Sequence, residues 1–182
     1  MLRSHDTCIT SQKQSIQERL SCRIVTGSDQ DIRTLRQVNA TIFPISYHDK
    51  FYKDLGAACG DLACRAVFIL LDDRDIIGTF SCRFESPPPI VDTAESLTTC
   101  TYVMTFGVLA KYRLLGVGEW MWERLMGMYE GGTGLMVLHV QVGNSSALRF
   151  YKRRGFVERI VVKDYYRRLT PPDAVLLTRN SI

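Results

Sequence analysis

The sequence predicts a mixed α/β fold in which helices cover a single mixed β-sheet. An apolar, β-prone run, Cys100–Ala110, leads through a glycine-containing loop into an amphipathic helix and then into a second apolar run, Leu135–Val142. Such a crossover makes its two strands parallel neighbours. Runs typical of antiparallel hairpins flank it on both sides. The size agrees, because 182 residues with 46% hydrophobic side chains fit one domain with one core.

The first half of the chain predicts a strand, a helix and a hairpin. Ser28 stands where a helix N-cap is expected, with the acidic Asp31 three residues later, and Pro44 ends the helical pattern. A polar turn at 72–75 separates two β-prone runs and predicts a hairpin. The segments in order are a strand at Ser21–Thr26, a helix from the Ser28 cap to Ile42, an aromatic loop or short helix at Phe43–Tyr52, and hairpin strands at Ala66–Leu71 and Ile76–Phe84.

The second half predicts the crossover and a closing hairpin. The nearly continuous apolar run at Leu135–Val142 indicates a strand buried on both faces. Asn144 is an N-cap candidate and Gly155 a helix stop. The segments are a strand at Cys100–Ala110, a helix at Glu119–Tyr129, a strand at Leu135–Val142, a helix at Asn144–Arg154, and strands at Phe156–Val162 and Ala174–Arg179.

Two segments are expected to lie outside this domain core. The polar N-terminus lacks the apolar stretch of a signal peptide, so residues 1–20 are predicted to be a disordered leader before a domain at 21–182. Three consecutive prolines begin the segment 86–99. Because proline is excluded from a sheet interior, this segment is predicted to be a surface insertion.

Composition excludes several classes of protein. No run of 18 apolar residues is present, so no membrane span is expected. A net charge of +4 is too small to favour a nucleic-acid partner. Six cysteines without a Cys-x-x-Cys pair, and only three histidines, give no zinc-site pattern, so no metal is expected. Without a secretory signal, the cysteines are expected to be reduced, as in the cytosol.

The loop after Cys100–Ala110 predicts a site for a phosphate-bearing cofactor. Glycines at Gly116 and Gly118 stand where a helix begins, and a side chain at either would stop a diphosphate from approaching the backbone. The backbone N–H groups are expected to point at one anion, aided by the helix dipole. The residues supplying them are Arg113, Leu115, Gly116, Val117 and Gly118.

These residues also carry a family resemblance. The segment 113–118 resembles the Arg/Gln-x-x-Gly-x-Gly/Ala signature of GNAT acetyltransferases, and 144–147 with 150–151 and 155–156 resembles their second cofactor segment. Five further segments, from roughly Ile24 to Asn180, resemble the San-type N-alpha-acetyltransferases, the catalytic subunits of NatE. They are 42–47 (IFPISY), 51–54 (FYKD), 102–105 (YVMT), 138–141 (LHVQ) and 165–168 (YYRR).

The resemblance implies the GNAT fold, with a mostly antiparallel sheet of about seven strands, a central parallel pair splayed around acetyl-CoA, and about four helices. It implies acetyl-CoA as co-substrate and, as acceptor, nascent protein N-termini that keep the initiator methionine, followed by a hydrophobic residue (Met-Leu type). Attack is direct, in a ternary complex. A NatA-type complex and the ribosome are implied partners, with a cytoplasmic and also nuclear location, and neither a membrane nor a specific nucleic acid is expected. Two departures are Leu114, which replaces a common basic residue, and the insertion.

His139 and Tyr102 are the candidate catalytic residues. His139 lies in a strand, and histidine titrates near neutral pH, which suits a general base. Tyr102 lies on the strand predicted beside it. The residues alone leave open a satisfied core histidine and a packing tyrosine. By resemblance, the two act together through an ordered water.

By resemblance, further residues bind the two substrates. The cofactor set is Phe106, Gly107, Val108, Arg113, Leu114, Leu115, Gly116, Val117, Gly118, Glu119, Asn144, Ser146 and Tyr151. In this set a backbone N–H near Thr105 and Phe106 polarises the thioester, and Tyr151 protonates the leaving thiolate. The acceptor set is Phe43, Pro44, Ile45, Tyr47, Met104, Tyr165 and Tyr166. The alternatives are an N-cap asparagine, a core tyrosine and a hydrophobic rim that packs two loops together.

Two other functions remain as alternatives. One alternative is a GNAT enzyme that acetylates lysine or a small amine. The other is a protein that serves mainly as a docking subunit of a larger N-terminal acetyltransferase complex. Basic clusters at 152–154 and 167–168 are either a solvated face or a contact with ribosomal RNA, and the first alternatively meets the CoA 3′-phosphate.

Overall fold

The computed structural model describes residues 15–58, 64–89, 98–129 and 134–180. The strands that lie wholly within these ranges are β1 (Leu20–Ile24), β2 (Cys64–Leu71), β3 (Asp75–Glu85), β4 (Cys100–Val108), β5 (Leu135–Gln141), β6 (Val157–Val162) and β7 (Ala174–Asn180). The helices are α1 (Asp29–Ile42), α2 (Asp49–Ala58), α3 (Val117–Tyr129) and α4 (Ser145–Lys152), with a 3-10 turn at Ala110–Tyr112. None of the helices in these ranges is long and apolar enough to cross a membrane.

The strands form one seven-stranded mixed sheet in the order β1-β2-β3-β4-β5-β7-β6, which confirms the predicted fold class. β4 and β5 are the parallel pair, and β5, β7 and β6 pair antiparallel. The parallel register aligns Thr101 with Met136 and Tyr102 with Val137, whereas β4 continues to Val108. Within the described residues, the parallel pairing covers Thr101 and Tyr102 of β4.

The chain divides into two compact units, Met1–Ser81 with Thr105–Met128, and Cys82–Met104 with Tyr129–Ile182. The first unit holds the loop at the start of α3 and the aromatic segment after α1. The second holds Tyr102 and His139.

In the first unit, an ion pair between the exposed Arg23 and the buried Asp31 holds α1 against β1. The side chain of Ser28 accepts a hydrogen bond from the Asp31 N–H at 3.2 Å, which confirms the predicted N-cap. The Asp31 carboxylate accepts two bonds from the Arg23 guanidinium at 2.8 and 2.9 Å and further bonds from Thr26. The Arg23 bonds, followed by those from Thr26, hold the pKa of Asp31 well below its usual range.

The structure refines two predictions about this unit. The aromatic segment is a loop only as far as His48, because Asp49 begins α2, which buries Tyr52 and Leu55. The predicted leader ends too late. Ile16 is buried and the Gln17 amide donates to the Gly116 carbonyl at 3.1 Å, so residues 15–20 belong to the fold. Residues 1–14 of the predicted leader and 90–97 of the predicted insertion lie outside the described residues.

The second unit buries β5 as its sequence predicts. Leu135 and Val137 pack with Cys100 and Leu176, and Tyr102 lies against this cluster. At α4 the predicted N-cap is confirmed, and the helix ends at Lys152, two residues before the predicted Arg154. The Asn144 side chain accepts from the Ala147 N–H at 3.2 Å, and Gly155 has a φ of +81°, a conformation suited to glycine.

Candidate active site

The loop before α3 is shaped to hold an anion. Leu114 and Gly116 both adopt left-handed backbone conformations, with φ of +64° and +83°. The first bond within the helix runs from the Trp120 N–H to the Gly116 carbonyl at 3.1 Å. The N–H groups of Val117 and Gly118 therefore have no acceptor inside α3. These N–H groups and the positive end of the helix dipole suit a phosphate.

Arg113 serves this loop differently from the prediction. Its N–H donates to the Ala110 carbonyl at 3.2 Å and closes the 3-10 turn, so the prediction that this N–H points at the anion is wrong, whereas a cofactor role for the Arg113 side chain stays a prediction. Its guanidinium donates from Nε to the Val108 carbonyl at 3.0 Å and from Nη2 to the Ile42 carbonyl at 3.5 Å. Arg113 therefore ties the loop to the end of β4 and the end of α1.

The next residue, Leu114, is 92% exposed at the tip of the loop. α3 begins at Val117 rather than at the predicted Glu119, and Glu119 is an exposed acid in its first turn. The Leu115 side chain is half-buried. Leu114 thus places an uncharged side chain in solvent at this point of the loop.

The end of β4 packs against the residues that follow α1. A Cβ atom at Gly107 would lie 2.4 Å from Ile42 Cγ2 and 2.8 Å from the Phe43 ring, so only glycine allows this approach. Phe106 stacks on Phe80, with ring centroids 6.3 Å apart, and Val108 is buried. Packing accounts for all three residues, and a cofactor role for them stays a prediction.

The predicted acceptor residues of the first unit form part of an aromatic row. The Phe43 ring meets the Tyr47 ring edge-on at 5.9 Å, and Tyr47 stacks on Phe51 at 4.6 Å. Pro44 is exposed and Ile45 is half-buried. The segment offers an apolar surface at the end of α1.

In the second unit, Tyr102 and His139 touch directly. The Tyr102 hydroxyl lies 2.9 Å from His139 Nδ1, a hydrogen-bond distance that leaves no space for a water between the two atoms. The parallel register of β4 and β5 brings them together, because Tyr102 pairs with Val137, two residues before His139. The water-mediated arrangement that the resemblance implies is therefore not the one in this structure.

Burial sets the charge states of this pair. It lowers the pKa of His139 to about 4, so the imidazole is neutral at pH 7. It also raises the pKa of Tyr102, and Tyr165 raises it further, so the phenol keeps its proton. A neutral imidazole beside a protonated phenol is able to receive a proton through that phenol.

Tyr165 and Tyr166 are predicted to bind the acceptor peptide. In the structure, both contact the catalytic candidates. The Tyr165 ring stacks on the His139 ring with centroids 4.3 Å apart and planes 11° apart. Its hydroxyl lies 2.9 Å from that of Tyr102. Tyr166 donates from its hydroxyl to the His139 carbonyl at 3.2 Å. Met104, two residues after Tyr102 on β4, is half-buried.

Sequence reasoning missed Arg83 and Glu85 on β3. The Arg83 guanidinium lies 5.4 Å from the centre of the Tyr102 ring, and its Nε donates to Glu85 at 2.6 Å. Glu85 raises the pKa of Tyr102 slightly further. Two opposite charges two residues apart, on one face of the strand that precedes β4 in the chain, were the available signal.

The α4 candidates differ in their surroundings. Asn144 and Ser146 are exposed, and the Ser146 hydroxyl donates to the Asn144 side chain at 3.0 Å. Tyr151 is only 6% exposed and packs against Phe156. Burial raises the pKa of Tyr151, so its hydroxyl stays protonated and able to donate. Within the described ranges, no group of three or more metal-binding side chains is present.

The mixed sheet with its parallel pair agrees with the fold of an acyl-transfer family. The chain belongs to the acetyltransferase (GNAT) family, whose sequence profile matches residues 32–156. It is 35% identical over 163 residues to the probable N-acetyltransferase san of Drosophila melanogaster, covering 88% of this chain and 82% of that protein.

Two further relatives agree with this assignment. The chain is 39% identical over 153 residues to N-alpha-acetyltransferase 50 of Danio rerio, covering 82% of this chain and 83% of that protein. Arabidopsis thaliana Naa50 in complex with the bisubstrate analogue CoA-Ac-MVNAL is 30% identical, with a TM-score of 0.73, covering 90% of this chain and 99% of that one. The resemblance to San-type N-alpha-acetyltransferases is confirmed.

Proposed function

We propose that this chain transfers the acetyl group of acetyl-CoA to the N-terminal α-amine of proteins that keep the initiator methionine, with a hydrophobic residue second. The contact between Tyr102 and His139 carries the proposal, because it joins a protonated phenol to a neutral imidazole. The San-type relatives support it, since they are named as N-acetyltransferases. The Naa50 relative, solved with CoA-Ac-MVNAL, supports both the donor and the acceptor class.

The loop before α3 is the proposed holder of the acetyl-CoA diphosphate. The N–H groups of Val117 and Gly118 and the left-handed Gly116 support this role. Arg113 contributes by fixing the shape of the loop, because its guanidinium is bound to backbone carbonyls. When bound, acetyl-CoA supplies the activated acyl carbon.

The second unit supplies the proton acceptor. A free α-amine has a pKa of about 7.7–8.0, so at neutral pH it must lose a proton before or during attack. The amine forms the new C–N bond, and its proton passes to the Tyr102 oxygen as the Tyr102 proton passes to His139 Nδ1. The C–S bond then breaks, and the thiolate takes a proton, for which Tyr151 is the proposed donor. His139 releases its proton to solvent, Tyr151 regains one from solvent, and no covalent enzyme intermediate is needed.

Acceptor binding is assigned to apolar and aromatic groups. In the first unit, Phe43, Pro44 and Ile45 offer an apolar surface suited to a methionine side chain. In the second unit, Met104 lies on β4 two residues after Tyr102, and its backbone is the proposed contact of the peptide. The partly exposed Tyr165 lies directly over His139.

Acetyl transfer to peptides that differ in their first two residues tests the proposal. We expect turnover on Met-Leu and Met-Val peptides, and loss of turnover when the α-amine is blocked. Modification of an internal lysine in the blocked peptide would instead favour a lysine acetyltransferase. Absence of both turnover and acetyl-CoA binding in calorimetry would favour a docking subunit.

The cellular setting is part of the same proposal. Because the proposed acceptors are nascent chains, the proposed location is the ribosome in the cytoplasm, with a further pool of the protein in the nucleus. The proposed partner is a larger NatA-type complex on which the protein docks. The exposed basic residues Arg167 and Arg168 support a contact with ribosomal RNA or another acidic surface. Co-sedimentation with ribosomes at low salt, lost when both arginines are replaced by glutamine, is the expected result.

A further inference from the structure

Tyr165 belongs to a hydrogen-bonded row of three side chains in the second unit. The Tyr102 hydroxyl lies at its centre, 2.9 Å from His139 Nδ1 on one side and 2.9 Å from the Tyr165 hydroxyl on the other. A phenol has one proton to donate and lone pairs to accept with. Tyr102 therefore donates to only one of its two neighbours and must accept from the other.

The row has two possible directions, and they differ in the tautomer of His139. If Tyr165 donates to Tyr102, then Tyr102 donates to Nδ1, and the neutral imidazole carries its proton on Nε2. In the opposite direction Nδ1 carries the proton and donates to Tyr102, which donates to Tyr165. Only the first direction leaves the Nδ1 lone pair at the end of a hydrogen bond, ready to receive a proton.

The same tyrosine also fixes the imidazole ring. The Tyr165 ring covers one face of His139 at 4.3 Å with an angle of only 11° between planes. The Tyr166 hydroxyl donates to the His139 carbonyl at 3.2 Å, which anchors the backbone beneath that ring. Two consecutive residues of one segment thus hold the side chain and the main chain of His139.

An ion pair on β3 lies beside the row. Arg83 lies over the Tyr102 ring at 5.4 Å, and its charge is paired with Glu85 at 2.6 Å. Among the described residues, Tyr165, Tyr166 and His139 also face Tyr102, and the first two raise its pKa. The Tyr165 hydroxyl lies within hydrogen-bond distance of the Tyr102 hydroxyl, so the phenol–phenol bond is the contact through which the direction of the row is set.

We infer that Tyr165 is a positioning residue of the acetyl transfer, whose hydroxyl donates to Tyr102 and thereby aims the Tyr102 proton at His139 Nδ1. This inference deepens the proposed function and rests on it. The Tyr102 oxygen keeps a second lone pair, which accepts the proton of the attacking amine while the Tyr102 proton moves to Nδ1. One proton enters and one leaves the phenol, so its charge is unchanged by the step.

Two substitutions of Tyr165 separate its hydroxyl from its ring. Tyr165→Phe keeps the stacking surface and removes the donor, whereas Tyr165→Leu removes both. Loss of one hydrogen bond predicts a fall of about 2- to 10-fold in kcat for Tyr165→Phe, with the KM for a Met-Leu peptide little changed. A larger fall is expected for Tyr165→Leu. Tyr112→Phe, which removes a hydroxyl in the first unit while keeping the ring beside Lys111, is the matched control and should keep the wild-type kcat.

The tautomer of His139 gives a readout that needs no activity. Nitrogen-15 NMR of histidine-labelled protein at pH 7, assigned with His139→Gln, should show a protonated Nε2 and an unprotonated Nδ1. In Tyr165→Phe we expect a mixture of tautomers. A protonated Nδ1 in the wild type would overturn the inference, as would an unchanged tautomer in Tyr165→Phe combined with a change in KM alone. If no peptide is acetylated, the proposed function fails, and the NMR result still decides the direction of the row.

Discussion

At the scale of single residues, the direct bond between Tyr102 and His139 is the main determinant of the proposed chemistry. A 2.9 Å contact makes the phenol and the imidazole one proton-accepting unit. Residues that act as one unit show strongly non-additive effects when both are replaced. Tyr102 and His139 should therefore behave as one functional group.

Substituting the pair tests this unit. We expect His139→Ala and Tyr102→Phe each to lower kcat by roughly 10²–10⁴-fold, the usual scale for loss of a general base. The double variant should be little worse than either single variant. Steady-state assays on a Met-Leu peptide give the values. Effects that multiply in the double variant would contradict the shared role.

The depressed pKa of His139 predicts how stability depends on pH. Its pKa is about 4 in the folded state, against an ordinary value of 6.5 in the unfolded chain, so between these pH values the unfolded chain binds more protons. The free energy of unfolding should therefore fall as pH drops from about 6.5 towards 4, by at most about 1.4 kcal/mol per pH unit from this group.

Urea denaturation at several pH values measures this dependence. Replacing His139 by glutamine should flatten the curve in that window, because the variant cannot take up this proton. A wild-type imidazole that already titrates near pH 6.5 by NMR would show that burial does not act on it as described.

At the scale of elements, the absence of a side chain at Gly107 allows the end of β4 to contact the end of α1. Gly107→Ala would set a Cβ atom 2.4 Å from Ile42 Cγ2, so one of the two segments must move. Such overpacking costs about 1–3 kcal/mol. We expect that loss in chemical denaturation, together with weaker binding of the Met-Leu peptide.

Gly127 offers the matched control for this substitution. A Cβ atom there would meet nothing within 4 Å, and the residue is exposed on α3. Gly127→Ala should stabilise the protein by about 0.5–1 kcal/mol through helix propensity. If both variants change stability equally, the close approach at Gly107 is not the cause.

The exposed Leu114 leaves the tip of the loop before α3 without a charge. Leu114→Arg keeps the backbone of the loop and adds a cation beside the proposed diphosphate site. An exposed ion pair contributes about 0.2–1 kcal/mol, so acetyl-CoA should bind up to about five-fold more tightly, and less so at high salt. Calorimetry at two salt concentrations measures this, with Leu114→Gln as the uncharged control. Equal affinities for the two variants would show that the diphosphate does not bind at this loop.

At the scale of the whole molecule, a co-substrate that binds only the folded chain must raise its melting temperature. At a concentration of 100 times Kd, acetyl-CoA contributes about 2.7 kcal/mol. For a chain of this size that corresponds to a shift of about 5–10 °C. Differential scanning fluorimetry should show this shift with acetyl-CoA and not with acetate. A flat response to acetyl-CoA would favour the docking-subunit alternative.

The sequence by itself determined the order of the elements, the caps at Ser28 and Asn144, the glycine-dependent loop and the nearness of Tyr102 to His139. These features depend on local periodicity, on residues that are neighbours in the chain and on one parallel crossover. Only the tertiary structure decided that Tyr165, 63 residues from Tyr102, reaches its hydroxyl, and that the Arg113 guanidinium binds the carbonyls of Val108 and Ile42. Both contacts depend on side-chain rotamers and on the approach of segments far apart in the chain, which no local pattern encodes.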